Sequence, residues 1–210
     1  MPTNPNPITI DNSVLILIDH QPWVAFSVQS IDRTLLVNNV AALAEAAKDL
    51  GVPTVLTTVG AGGGPLNDPL FGQISEVFPD EVPIDRVTTN AWADIRPAVE
   101  ATGRRVLLMA GLWTEVCLAQ TALSALKDGY TVYFVSDCSG GVTQRGSRRC
   151  QAAHGEGRRQ RHQLAGRRSR VDARLHQRRT PGGQPWPRRP RRRCRPLYRV
   201  SARQHAGPRR

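Results

Sequence analysis

Ser13-Val-Leu-Ile-Leu-Ile-Asp19 decides how the chain is to be read. An apolar run with no polar face fits a strand buried on both sides of a parallel sheet. This one closes on a carboxylate. Working outward, Asp32 can cap a helix whose apolar spacing runs through Leu35, Leu36, Val40, Leu43, Ala44 and Ala47. Gly51 ends that helix and Pro53 follows as a stop signal. Pro53–Val59 reads as the second strand, and Gly60–Asp68 as a Gly/Pro-rich loop. Phe71–Phe78 fits a short helix, Ile84–Val87 a short strand and Ala93–Thr102 a helix. Arg105–Leu112 is a strong third apolar strand, Thr114–Gly129 a helix and Thr131–Ser136 a last strand. This alternation implies an α/β fold, a parallel sheet with helices on both faces. Ligands of such sheets lie at the carboxyl ends of the strands, so Asp19, the Leu112–Cys117 turn and Asp137 should share one edge.

The chain has 210 residues and a net charge of +12, which on its own would suggest a nucleic-acid binder. The charge is not spread evenly. Residues 1–143 carry 7 Lys and Arg against 15 Asp and Glu, a balance of −8. Residues 144–210 carry 22 Arg and no Lys against two acids, a balance of +20. Gly, Ala, Arg and Pro make up 41 of those 67 residues, and Ile, Phe, Met and Asn are missing. The abundant types have GC-rich codons and the missing ones AT-rich codons, as when a GC-rich gene is read out of frame. An authentic basic arm is the other reading. The expectation is a domain over 1–143, incomplete at its end, and an Arg/Pro/Gly-rich tail over 144–210 that is out of frame and disordered. Low stability follows for a sheet that has lost a covering layer. There is no apolar run of membrane length and no secretory leader pattern. Cys117, Cys138, Cys150 and Cys194 match neither a zinc nor a disulfide framework, so a reduced, cytoplasmic protein is expected.

Three residues carry candidate chemistry. Cys117 stands where a buried strand turns into a helix, in Ala110-Gly-Leu-Trp-Thr-Glu-Val-Cys117. Unpaired amides and the helix dipole there favour thiolate, and the same amides can hold an oxyanion. A small buried core residue is the plainer reading. Asp19 can serve as a general base beside a nucleophile, or as a cap or loop hydrogen-bond acceptor. Arg86 can sit over that carboxylate, or pair at the surface with Asp85 or Asp80. His20 is read as structural or pocket-lining. Gly62-Gly-Gly64 is not a phosphate loop, and no Gly-x-Ser-x-Gly elbow is present.

Several separated stretches together resemble the isochorismatase-like cysteine hydrolases, in particular their YcaC-like subgroup. They are Leu15–Gln21, Gly51–Thr58, Pro83–Arg86 with Asn90-Ala-Trp92, Ala110–Cys117 and Val135–Gly141. The resemblance runs from about residue 8 to 143. It implies a six-stranded Rossmann-like three-layer α/β/α fold and an Asp–Lys–Cys triad. Asp19 then matches the base and Cys117 the nucleophile, while Arg86 stands where the family has Lys. Arg stabilises charge but stays protonated, so it cannot shuttle a proton. The family also implies a cis peptide at Trp113–Thr114, with oxyanion amides from Trp113, Thr114 and Cys117. Gln21, Asn90 and Trp92 would border a substrate pocket. The implied reaction is cleavage of an amide-type C–N bond of a small molecule through a thioester. Vinyl ether hydrolysis is the alternative within the family, and nucleic-acid binding through the tail the alternative outside it. No cofactor is expected. No metal is expected either, since His20 is the only histidine in 1–143. A homo-oligomer is expected, with no membrane partner and only nonspecific nucleic-acid contact.

Overall fold

The computed structural model describes residues 8–63, 68–156 and 161–162; of Gln151–Glu156 and Arg161–His162 only the backbone path is described. Six strands form one sheet in the order β3-β2-β1-β4-β5-β6, every neighbouring pair parallel. The strands are β1 (Ser13–Ile18), β2 (Thr54–Val59), β3 (Ile84–Arg86), β4 (Val106–Gly111), β5 (Thr131–Val135) and β6 (Arg161–His162). The helices are α1 (Pro22–Phe26), α2 (Arg33–Asp49), α3 (Gly72–Val77), α4 (Trp92–Ala101), α5 (Ala119–Lys127) and α6 (Gln144–Glu156). A single π-type turn, Thr114–Leu118, joins β4 to α5.

β1 lies at the centre and is buried along its whole length. Its side chains alternate between two cores. Leu15 and Leu17 face Leu36, Val40 and Ala44 of α2 and Ile74 of α3. Val14, Ile16 and Ile18 face Ile95 and Val99 of α4 and Ala122 and Ala125 of α5. This is the three-layer arrangement that an apolar run with no polar face demands. Full burial of one such aliphatic side chain contributes roughly 1.5–3 kcal/mol.

Asp32 caps α2 as the sequence implies, its side chain accepting from the Leu35 amide at 2.8 Å. Leu35 itself departs from expectation. It is 48% exposed, because the buried stripe of α2 begins at Leu36. β3 stops at Arg86, and Val87 is 90% exposed. α4 begins at Trp92 and ends at Ala101, and the helix expected over Thr114–Gly129 is divided into the π-type turn and α5.

Residues 144–156 depart most from the sequence reading. They lack an apolar stripe, yet they form α6. Polar contacts anchor its first turn instead. Thr143 Oγ1 accepts from the Gly146 amide at 3.0 Å, and the Ser147 amide donates to the Thr143 carbonyl at 3.0 Å. Ser147 is buried. β6 continues the sheet beside β5 through Phe134↔Arg161 and Val135↔His162. The rest of the expected out-of-frame tail lies outside the described residues. Among the described residues no helix is long and apolar enough to cross a membrane.

The strand order fixes where a site can be. The chain builds β1, β2 and β3 in one direction, then returns to place β4 on the other side of β1. The crevice at such a reversal opens at the carboxyl ends of the two central strands. Those ends are Asp19, after β1, and Gly111–Leu112, after β4. Gly111 lets the two strands approach here. A Cβ on it would lie 2.8 Å from the Ile18 Cβ and 3.1 Å from the Ile18 carbonyl. Gly111→Ala should therefore cost about 1–3 kcal/mol in urea unfolding, as overpacked cores do. A variant as stable as the original chain would show that the strands separate freely.

Candidate active site

Asp19 leaves β1 with a left-handed backbone, φ 56°, a conformation Asp tolerates better than most residues. Its side chain is fully buried and its carboxylate is clamped by Arg86. Arg86 Nη1 donates to Oδ1 at 2.8 Å and Nη2 to Oδ2 at 2.7 Å. The two parallel bonds form the planar fork that guanidinium offers a carboxylate. Nη1 also donates to the Thr58 carbonyl at 2.9 Å, and Thr57 Oγ1 donates to Asp19 Oδ1 at 2.9 Å. Burial disfavours charge on Arg86, but the hydrogen bonds and charge of Asp19 outweigh it and hold the guanidinium above its ordinary value.

Of the two arrangements open in the sequence, Arg86 thus faces Asp19. Asp85 points elsewhere, accepting from Thr58 Oγ1 at 2.8 Å and from the Ala61 and Gly62 amides at 2.9 and 2.8 Å. It pins the start of the Gly-rich loop. Despite some desolvation, these bonds hold its carboxyl below the ordinary value.

Cys117 is buried in the π-type turn, close enough to Asp19 for the carboxylate to act on its thiol. The Trp113 amide faces the same sulfur. The expectation of a thiol lowered by the helix start is overturned. Burial first, then the charge and hydrogen bond of Asp19, push it up to about 12, against smaller opposing effects of Arg86 and the Trp113 amide. The resting group is a neutral thiol beside a carboxylate.

The cis peptide lies one bond earlier than the resemblance implies, at Leu112–Trp113. Leu112 still belongs to the sheet edge, its amide donating to Ile18 and its backbone bridging to Gly140. Thr114 already opens the π-type turn, and its amide donates to the Gly140 carbonyl at 2.9 Å. That amide is engaged, whereas the Trp113 amide faces the sulfur. The Trp113 indole donates to the Val24 carbonyl at 2.9 Å and ties the turn to α1.

The other residues named from sequence make contacts of their own. Gln21 is fully buried. Its amide group donates to the Asp68 and Val59 carbonyls at 2.7 and 3.3 Å and accepts from the Val59 amide at 2.9 Å. Asn90 donates to Ser124 Oγ and accepts from the Trp92 amide, and the Trp92 indole donates to Asp128 at 2.7 Å. The latter two therefore brace α4 against α5. Asp137 follows β5, and its carbonyl accepts from the Asn39 side chain at 2.9 Å.

Two residues escaped the sequence reading. Thr57 and Thr58 were signalled only as polar residues in the last half of an apolar strand. His20 is fully buried, with Nε2 2.9 Å from the Cys138 carbonyl, so it ties the end of β1 to the segment after β5. Its Nδ1 has no partner among the described residues. A hollow of about 270 Å³, lined in part by Lys48, Pro53, Thr54 and Phe78, opens at the start of β2. It is at the opposite end of the sheet from Asp19, and we assign it no chemistry.

The isochorismatase domain model matches residues 13–154, past the composition break at Thr143. The chain belongs to the isochorismatase family. It is 41% identical over 133 residues to the probable hydrolase YcaC of Escherichia coli K12, covering 62% of this chain and 63% of that protein. Isochorismatase family protein 2B of Dictyostelium discoideum is 24% identical over 145 residues, covering 63% and 64%. The chain thus spans less than two thirds of the length of these relatives. The crystal structure of E. coli YcaC, described as an octameric hydrolase of unknown specificity, superposes with a TM-score of 0.71 at 34% identity, covering 77% of this chain and 81% of that one. YcaC from Pseudomonas aeruginosa, solved with hexane-2,5-diol and covalent acrylamide, superposes at 0.73 with 32% identity, covering 79% and 82%.

Two pH dependences follow. Burial lowers His20 to about 4 from 6.5, against weaker opposing effects of the Cys138 carbonyl and Asp19. The unfolded chain therefore binds the extra proton first. Stability should fall by about 3 kcal/mol as pH drops from 6.5 to 4, and level off below. Urea unfolding of His20→Gln should lack this component, and an identical pH slope in both proteins would contradict it. For Cys117, iodoacetamide labelling followed by peptide mapping should keep rising beyond pH 10, since the thiol titrates near 12. A plateau below pH 9 would mean a different environment.

Proposed function

We propose that this protein hydrolyses an amide-type C–N bond of a small molecule through a Cys117 thioester. The observation that carries this is the chain of contacts from the Cys117 thiol to Asp19 and from Asp19 to the Arg86 fork. Asp19 takes the thiol proton as sulfur attacks the carbonyl carbon. The Trp113 amide, aimed at the sulfur, stabilises negative charge as it develops on the thiolate. Collapse breaks the C–N bond, and Asp19 returns the proton to the leaving amine. Water then attacks the thioester while Asp19 accepts its proton, and the released thiolate recovers that proton from Asp19.

Arg86 holds its protons throughout. It orients the carboxylate and offsets its charge, which is how the site works without the lysine of the family pattern. Covalent acrylamide in the P. aeruginosa relative supports a reactive nucleophile in this group, and the hydrolase names of E. coli YcaC support the reaction class. The octamer of the E. coli relative supports self-association of this chain as well. Trp23 and Phe26, stacked 6.2 Å apart and 60% and 72% exposed, are apolar surface of the kind an interface covers.

The test is turnover of a panel of small carboxamides, with enol ethers as the competing class, followed by amine or carbonyl release. Cys117→Ala should abolish turnover, and mass spectrometry of the original chain should trap an acyl adduct on Cys117. Arg86→Lys should keep activity within about tenfold, whereas Arg86→Met should lose about a hundredfold, since the buried carboxylate is then unpaired. Undiminished turnover by Cys117→Ala would sink the reading. Cleavage of enol ethers alone would replace the amide by the vinyl ether reaction.

A further inference from the structure

Glu115 lies two residues before Cys117, in the same π-type turn. Its carboxylate faces the segment that leads into α6. Oε1 accepts from the Val142 amide at 2.8 Å and from the Thr143 amide at 3.4 Å. Glycines make room for it. A Cβ on Gly141 would lie 2.1 Å from Oε2, and one on Gly146 would lie 3.4 Å from Oε1. Two further contacts join the same two segments: the Thr114 amide to the Gly140 carbonyl at 2.9 Å, and Cys150 Sγ to the Thr114 carbonyl at 3.5 Å. A carboxylate on amides at a helix start makes charge-assisted bonds with the favourable sign of the helix dipole. Here the carboxylate comes from the turn that carries the thiol, so a bond that caps one element also fixes the other.

We infer that Glu115 is a positioning residue: it locks the Cys117 turn onto the start of α6 and thereby sets the approach of the sulfur to its electrophile. The inference rests on the reading of Cys117 as the nucleophile. It also gives the first turns of α6 a role, since they are part of the surface against which the turn is held.

Acrylamide is the probe, used on the full chain, with Cys117 adducts quantified by peptide mass spectrometry. The maximal alkylation rate and the half-saturating concentration are read separately. Glu115→Asp keeps the charge but withdraws the oxygens by one methylene. It should lower the maximal rate by about tenfold or more and leave half-saturation within about twofold, because misplacing a reacting atom is costly while binding is untouched. Glu115→Gln keeps an acceptor for the Val142 amide and should stay within about threefold of the original rate. Gly141→Ala, which leaves Glu115 in place but drives a methyl group onto Oε2, should slow alkylation as Glu115→Asp does. Original rates in Glu115→Asp and Gly141→Ala, or a Glu115→Gln as slow as Glu115→Asp, would overturn the inference alone. Absence of adduct on Cys117 in the unsubstituted chain would overturn it together with the nucleophile reading.

Discussion

The site is organised by one buried ion pair, Arg86 with Asp19. Two charges out of water are costly, and their attraction offsets that cost only when the geometry is good and the remaining polar atoms are satisfied. The fold meets most of this demand with three neighbouring strands, although the buried Arg86 Nε has no hydrogen-bond partner among the described residues. β1 delivers Asp19, β3 delivers Arg86, and β2 between them supplies the Thr57 hydroxyl and the Thr58 carbonyl. The register of β2 with β3, in which Val59 opposes Arg86, is therefore part of the chemistry. The thiol of Cys117 meets a carboxylate already fixed in orientation. Burial first, and then the same carboxylate, hold that thiol neutral.

Much of the fold was legible because β1, β2, β4 and β5 are apolar enough to be recognised without context. The parallel order then puts Asp19 and Cys117 at the carboxyl ends of adjacent strands, a consequence of topology and not of any single motif. What was illegible depends on distance through space. Sequence could not decide between Asp19 and Asp85 as the partner of Arg86, because both choices satisfy the charge. It mis-set the thiol of Cys117, since position in a first turn argues for thiolate while burial and Asp19 argue against it more strongly. It placed Leu35 on the buried stripe of α2, where a shift of one residue changes the face.

The composition break at Thr143 marks neither the end of regular structure nor the end of the family match. Residues 144–156 read as too polar to continue a packed domain, and an apolar stripe is indeed lacking. α6 forms by another route, through backbone amides and hydroxyls satisfied at its start by Thr143 and Glu115. Hydrophobic periodicity detects helices held by burial and is blind to one held by its cap. The charge split of −8 and +20 divides the sequence by composition, whereas the family match reaches residue 154.

β1 and β4 are direct neighbours, joined in register from Ser13↔Val106 to Ile18↔Gly111. Asp19 and Cys117 thus follow two central strands, and such a pair opens only when the whole sheet does. Thermal inactivation of this protein should then coincide with global unfolding rather than precede it.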